Sequence, residues 1–108
     1  MTMDQASYGM ASQIEIDRNA LAGICGRHRV ARLSLFGSAL RPDFGSESDI
    51  DLLVEFEPGS TPGLSFFALE HELAALFGRK VDLVTPNFLS RYFRDDVMNK
   101  AEPLYVSG

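Results

Sequence analysis

Three aspartates are the residues in this chain whose type and spacing could do chemistry. Asp49 and Asp51 stand at positions i and i+2 of a predicted strand, so their side chains leave the same face roughly 6.5–7 Å apart. Asp82 lies on another predicted strand, on the face opposite Val81 and Leu83. If the two strands are neighbours, all three carboxylates meet at one end of the sheet.

The electrostatics of these three carboxylates favour a bound cation. Two full charges about 7 Å apart repel by about 2 kcal/mol at an effective dielectric of about 20, and a third charge adds to that. Folding gains nothing from such a cluster unless cations occupy it. Oxygen-only ligation by Asp49, Asp51 and Asp82, with no His or Cys close in sequence, favours Mg²⁺ or Mn²⁺ over Zn²⁺.

A Gly–Ser pair directly after a predicted strand could bind an anion. Gly37 lets the backbone approach a ligand closely, and Ser38 offers a hydroxyl and an amide where a helix or tight turn would begin. A phosphate site beside metal-binding carboxylates describes a site for a metal-bound nucleoside triphosphate. Of two metals about 3.5–4 Å apart, one would lower the pKa of an attacking hydroxyl and the other would stabilise the leaving pyrophosphate.

Short strands interleaved with helices must position these residues. Alternating apolar positions predict three strands and a shorter fourth, at residues 30–37, 49–57, 80–85 and 104–106. Apolar residues at helical spacing predict three helices, from Asp17 to His28, from Pro62 to Phe77 with Thr61 as N-cap, and from near Pro86 towards Lys100, ended by Pro103. Each helix has one apolar face, which predicts an α/β (α+β) fold in which a small mixed sheet carries helices mainly on one face.

Composition limits the class of protein. The chain has 108 residues, of which 45% are hydrophobic, enough for the core of one domain. Its single cysteine, Cys25, excludes an internal disulfide and a CxxC zinc pair. A net charge of -5 disfavours direct nucleic-acid binding. The longest apolar run, Leu73 to Phe77, is far shorter than the ~20 residues that span a membrane.

The domain boundary is expected near residue 14. Residues 1–13 lack periodicity and are predicted to form a flexible tail, and residues 14–108 form the domain. The first residues contain no apolar segment typical of a signal peptide. We therefore expect a cytoplasmic protein that does not associate with membranes.

The motif residues together resemble a known enzyme family. Phe36-Gly37-Ser38, ten residues, and then Asp49-Ile50-Asp51 match the GS-x10-DxD signature of the polymerase-β-type nucleotidyltransferases. Asp82 stands where those enzymes carry their third carboxylate. From about residue 14 to 106, the chain is similar to the minimal nucleotidyltransferase (MNT) proteins that are paired with HEPN-domain toxins. The resemblance implies a minimal polymerase-β-like nucleotidyltransferase fold.

The resemblance also implies a role for each motif residue. Gly37 and Ser38 would bind the triphosphate of ATP, and Arg41 would contact phosphate. Asp49 and Asp51 would bind two Mg²⁺ (or Mn²⁺) ions. Asp82 would complete the site of the catalytic ion and help to deprotonate the acceptor.

The activity that the resemblance implies is transfer of AMP from ATP to a tyrosine of a HEPN-type toxin, so that the chain acts as an antitoxin. Because a domain this short has little left to hold an acceptor, another macromolecule should present it. Two alternatives remain open. The domain could be a non-catalytic binding module that neutralises its partner by occlusion, or a nucleotidyltransferase for a small molecule of the aminoglycoside type.

Overall fold

A computed structural model describes residues 16–40, 48–60 and 62–107. In chain order its elements are α1 (Arg18–Arg27), β1 (Val30–Leu35), a 3-10 turn (Gly37–Leu40), β2 (Ile50–Phe56), α2 (Ser65–Phe77), β3 (Val81–Val84), a second 3-10 turn (Pro86–Phe88), α3 (Arg94–Lys100) and β4 (Glu102–Val106). This order confirms the predicted α+β class. The predicted tail, residues 1–13, lies outside the described residues, and so does Thr61. In the described ranges no helix is long and apolar enough to cross a membrane.

The four strands form one mixed sheet in the order β3-β2-β1-β4. β1 runs antiparallel to both β2 and β4, whereas β2 and β3 are parallel. Parallel neighbours need a crossover connection, and α2 supplies it between β2 and β3. The crossover brings β3 to the edge of the sheet, beside the strand that begins after Asp49.

The hydrophobic core lies between one face of the sheet and two helices, α1 and α2, as predicted. Alternate residues of β2 and β3 point into it, whereas β1 contributes Val30, Leu33 and Leu35 across a register shift between Val30 and Arg32. The core helices contribute Leu21, Ile24, Cys25, Leu69 and Leu73. On the opposite face, Leu53 and Ser34 are also buried. Both 3-10 turns contact β2. The second face is therefore covered in part, by turns rather than by long helices.

Local signals set the ends of the two core helices. Asp17 caps α1 as predicted, since its Oδ1 accepts hydrogen bonds from the backbone N–H groups of Asn19 and Ala20 at 2.9 and 3.1 Å. α2 begins at Ser65 rather than Pro62, because the chain first turns through Gly63, whose φ is +55°. Gly78, with a φ of +71°, ends α2 as predicted.

The predicted helix from Pro86 to Lys100 is wrong. It divides into the 3-10 turn and α3, because Leu89 between them is extended (φ -84°, ψ 142°). Ser90 then starts a separate turn, in which its Oγ accepts a hydrogen bond from the Tyr92 backbone N–H at 3.2 Å. The last strand begins at Glu102, so Pro103 lies inside β4. An edge strand tolerates this proline because an edge position leaves some N–H groups without a ladder partner.

Candidate functional site

The register of the parallel strands pairs two of the three aspartates. Asp51 of β2 is the cross-strand partner of Asp82 of β3, and neighbouring strands lie about 4.8 Å apart. The pairs on either side of this one are buried in the core: Ile50 with Val81, and Leu52 with Leu83. Because side chains alternate along a strand, Asp51 and Asp82 both project from the opposite face. The expectation that these strands are neighbours is confirmed.

Gly37 brings the turn after β1 into contact with Asp51. Its φ is +62°, and a Cβ at this position would lie 2.6 Å from Oδ2 of Asp51. The backbone N–H of Phe36 also donates to the carbonyl oxygen of Asp51 at 3.1 Å. Only glycine combines this left-handed conformation with so close an approach. The predicted phosphate-binding turn and a predicted carboxylate are therefore adjacent.

The other two predicted phosphate contacts are less fully described. Ser38 is the second residue of the 3-10 turn Gly37–Leu40, so its backbone follows Gly37 at the same end of the sheet. Arg41 lies outside the described residues, and its contact with phosphate stays a prediction.

Asp49 lies immediately before β2 and faces a lysine. Its Oδ2 is 3.8 Å from Nζ of Lys80, and both side chains are more than half exposed. The carbonyl of Lys80 accepts a hydrogen bond from the N–H of Ile50 at 3.0 Å. The guanidinium of Arg79 donates to the carbonyl of Ser48, from Nε at 3.1 Å and also from Nη2. Arg79 and Lys80 therefore link the start of β2 to the start of β3, a role that no local pattern of the sequence predicts.

The oxygen ligands at this end of the sheet suit a hard divalent cation, although their side chains are not arranged around a common point. Asp49, Asp51 and Asp82 supply only carboxylate oxygens, which suit Mg²⁺ or Mn²⁺. Within residues 16–40, 48–60 and 62–107, no group of three or more His, Cys, Asp or Glu side chains is close enough to hold a metal ion. The backbone brings the three positions to one end of the sheet, and the carboxylates would have to turn towards a cation.

Two titratable groups that lie in the helical layer, away from the three aspartates, have shifted pKa values. Burial raises the pKa of the Cys25 thiol to about 12, so this cysteine is not a nucleophile near neutral pH. A hydrogen bond from His28, together with Arg27, holds the pKa of Glu72 below its ordinary value. Both groups therefore contribute to the packing of the helices and are not part of the candidate site formed by the three aspartates.

Comparison with known proteins identifies the family. The nucleotidyltransferase domain family matches residues 18–104. A protein of Methanocaldococcus jannaschii assigned as the protein adenylyltransferase MJ0435 is 39% identical over 75 residues, which are 69% of this chain and 80% of that protein. The chain belongs to the nucleotidyltransferase domain family. This nucleotidyltransferase is also 38% identical over 81 residues to the protein adenylyltransferase MntA of Thermococcus cleftensis, covering 74% of this chain and 78% of MntA.

Solved structures agree with the nucleotidyltransferase fold. A structure described as a minimal nucleotidyltransferase has a TM-score of 0.67 at 38% identity, covering 80% of this chain and 87% of that one. A toxin–antitoxin complex with AMP-PNP has a TM-score of 0.65 at 21% identity, covering 85% and 75% of the two chains. The toxin–antitoxin complex MntA-HepT has a TM-score of 0.57, also at 21% identity, covering 83% and 70%. At that identity, the two complexes show a shared fold.

Proposed function

We propose that this nucleotidyltransferase transfers AMP from ATP to a tyrosine hydroxyl of a HEPN-type toxin, and so acts as its antitoxin. The observation that carries the proposal is the pairing of Asp51 with Asp82 beside the Gly37 turn. Relatives that are named protein adenylyltransferases support the reaction. Solved toxin–antitoxin complexes of the same fold, one of them with AMP-PNP, support the partner and the nucleotide.

Each residue of the site has a proposed role. Backbone N–H groups of Gly37 and Ser38 bind the triphosphate, and Arg41 contacts phosphate. Asp49, Asp51 and Asp82 hold two Mg²⁺ (or Mn²⁺) ions, which neutralise phosphate charge and lower the pKa of the acceptor hydroxyl when bound. Lys80 balances part of the negative charge through its ion pair with Asp49.

The proposed reaction is an in-line displacement at the α-phosphorus of ATP. The tyrosine oxygen forms a bond to the α-phosphorus, and the bond from that phosphorus to the oxygen that bridges the α- and β-phosphates breaks. The proton of the hydroxyl passes to the carboxylate of Asp82. Pyrophosphate leaves, and the products are an AMP-tyrosine phosphodiester and free pyrophosphate.

The position of Asp82 supports an acceptor that is presented by another protein. Asp82 is exposed and lies on β3, an edge strand of the sheet. A tyrosine on a partner's surface can approach this strand from outside without entering a deep pocket. Since the donor is ATP, we propose that the reaction takes place in the cytoplasm.

Transfer of label from ATP tests the proposal. The purified domain would be incubated with Mg²⁺ and the product of the adjacent reading frame, with ATP labelled at either the α- or the γ-phosphate. We expect α-label on a partner tyrosine, a mass increase of one AMP by mass spectrometry, and no γ-label. Replacing that tyrosine with phenylalanine should abolish labelling.

Two outcomes would contradict the proposal. Transfer of γ-label would indicate a kinase rather than a nucleotidyltransferase. A stable complex that inhibits the toxin without any label would support neutralisation by occlusion.

A further inference from the structure

Of the three aspartates, Asp49 is the one that lies outside a strand, because β2 begins at Ile50. Hydrogen bonds on both sides hold the backbone around it. The guanidinium of Arg79 donates to the carbonyl oxygen of Ser48, from Nε at 3.1 Å and also from Nη2. The N–H of Ile50 donates to the carbonyl oxygen of Lys80 at 3.0 Å. Both contacts join the Asp49 backbone to the two residues that precede β3.

These hydrogen bonds control the direction of the Asp49 side chain. The Ser48 carbonyl and the Ile50 N–H belong to the two peptide groups that flank the Cα of Asp49. Each peptide group is planar, so only the φ and ψ angles of Asp49 relate the two planes. With both planes held, the direction of the Cα–Cβ bond is set, and the carboxylate can move only by rotation within the side chain.

Arg79 is itself anchored on helix α2. Gly78 ends the helix with a φ of +71°, and the N–H groups of Gly78 and Arg79 both donate to the carbonyl oxygen of Ala74, at 2.9 and 3.3 Å. Arg79 is half-buried, which limits the positions that its guanidinium can take. Because the guanidinium is planar and presents its donors in a fixed geometry, it sets the position of the Ser48 carbonyl relative to α2.

Lys80 acts on Asp49 in a different way. Its Nζ is 3.8 Å from Oδ2 of Asp49, and the two side chains are 77% and 53% exposed. Solvent screens an ion pair this exposed, so the lysine charge offsets part of the carboxylate charge but does not fix its position. The geometry of Asp49 therefore depends on the side chain of Arg79 more than on that of Lys80.

We propose that Arg79 is a positioning residue that holds Asp49 in the conformation in which it binds a metal ion. It acts through the Ser48 carbonyl and not by direct contact with the metal or the nucleotide. This inference rests on the proposed function, since it requires Asp49 to be a metal ligand. Loss of the guanidinium should therefore weaken metal binding and leave binding of the metal-free nucleotide unchanged.

Metal binding by two arginine variants tests the inference. Electron paramagnetic resonance would measure Mn²⁺ binding with ATP to the wild type, Arg79→Ala and Arg79→Lys. Arg91→Ala is the control, since Arg91 is exposed in the turn before α3. We expect about tenfold weaker binding for Arg79→Ala and about threefold weaker binding for Arg79→Lys, because an ammonium keeps the charge but lacks the planar fork. Arg91→Ala should bind Mn²⁺ like the wild type.

Chemical rescue separates positioning from a general role in folding. Guanidinium added at about 20 mM, far below the molar concentrations that unfold proteins, can occupy the space left by the side chain in Arg79→Ala. We expect it to restore most of the Mn²⁺ binding, whereas the same concentration of sodium chloride should not. Circular dichroism would check the folding of each variant. If Arg79→Ala does not fold, Arg79→Lys, which keeps the charge and the apolar stem, decides the question.

Several results would overturn the inference. A folded Arg79→Ala variant that binds Mn²⁺ like the wild type would show that Asp49 needs no support from Arg79, and wild-type binding by Arg79→Lys would show that charge alone is enough. A loss that guanidinium does not restore would indicate a role in folding only. An equal loss of ATP binding in EDTA, measured by isothermal titration, would make Arg79 a phosphate contact. These results leave AMP transfer intact, whereas a wild type that binds no Mn²⁺ with ATP would overturn both proposals.

Discussion

Gly37 is the residue whose identity the backbone constrains most tightly. Its positive φ and the 2.6 Å approach of a Cβ to Asp51 mean that any side chain both strains the turn and displaces a carboxylate. We predict that Gly37→Ala lowers the free energy of unfolding by about 1–2 kcal/mol and reduces AMP transfer at least tenfold. Thermal unfolding and the label-transfer assay measure the two effects.

Gly26→Ala is the matched control for this change. Gly26 lies within α1, and a Cβ there would meet nothing within 4 Å. Alanine should therefore stabilise the helix by about 0.5–1 kcal/mol and leave transfer unchanged. If the two alanine variants behave alike, the close approach of Gly37 to Asp51 has no functional meaning.

The sequence predicts that Asp51 and Asp82 lie on the face of the sheet opposite the core, but it does not predict the contacts that hold their two strands together. The alternation of Asp51 and Asp82 with buried neighbours could be read from the sequence, because strand periodicity fixes which face a side chain takes. The bonds from Arg79 to Ser48 and from Lys80 to Asp49 could not. They depend on how two strands far apart in the chain align, and local patterns carry no information on that register.

At the scale of elements, the strands were predicted well and the last helix was not. Leu89, Tyr92, Phe93 and Val97 have nearly helical spacing, which predicted one long helix. Tyr92 is 92% exposed and Phe93 is 52% exposed, so these rings do not form a buried stripe. The spacing of apolar residues predicts a helix on the assumption that those side chains face the core, and here they do not. The turn at Ser90 depends on a side-chain hydrogen bond, which periodicity does not detect.

Helices α1 and α2 are joined by one carboxylate. Glu72 of α2 contacts Arg27, and its Oε2 lies 3.0 Å from Nε2 of His28. These contacts lower the pKa of Glu72 from 4.5. Because the pKa of Glu72 is lower in the folded state, its ionised carboxylate stabilises the fold at pH values above the pKa of the unfolded state. This contribution is lost as the pH falls through the pKa of the folded state.

Glu72→Gln tests this contact between elements. Since Glu72 is about one-third exposed, solvent screens the pair, and we predict a loss of only about 0.5–1 kcal/mol near neutral pH. Urea unfolding across the acid range should show the wild type and variant converging as the pH falls below the folded pKa. A constant difference at every pH would mean that the charge of Glu72 contributes nothing.

At the scale of the whole molecule, the fold leaves Asp82, one of the proposed catalytic residues, accessible on an outer strand of the sheet. β3 is an edge strand, and the core lies on the other face of the sheet. The proposed catalytic residues can therefore meet a macromolecular acceptor while the helical layer maintains stability. Fold class could be predicted from the order of elements.

Metal-dependent nucleotide binding by the paired aspartates is the most direct test of the central claim. Electron paramagnetic resonance would measure Mn²⁺ binding with ATP to the wild type, Asp51→Asn and Asp82→Asn, each checked for folding by circular dichroism. Glu55→Gln is the control, because Glu55 is on the same face of β2 as Asp51, four residues further along. We predict that each aspartate variant weakens Mn²⁺–ATP binding at least tenfold, with Glu55→Gln unchanged. Wild-type affinity in Asp82→Asn would contradict the account.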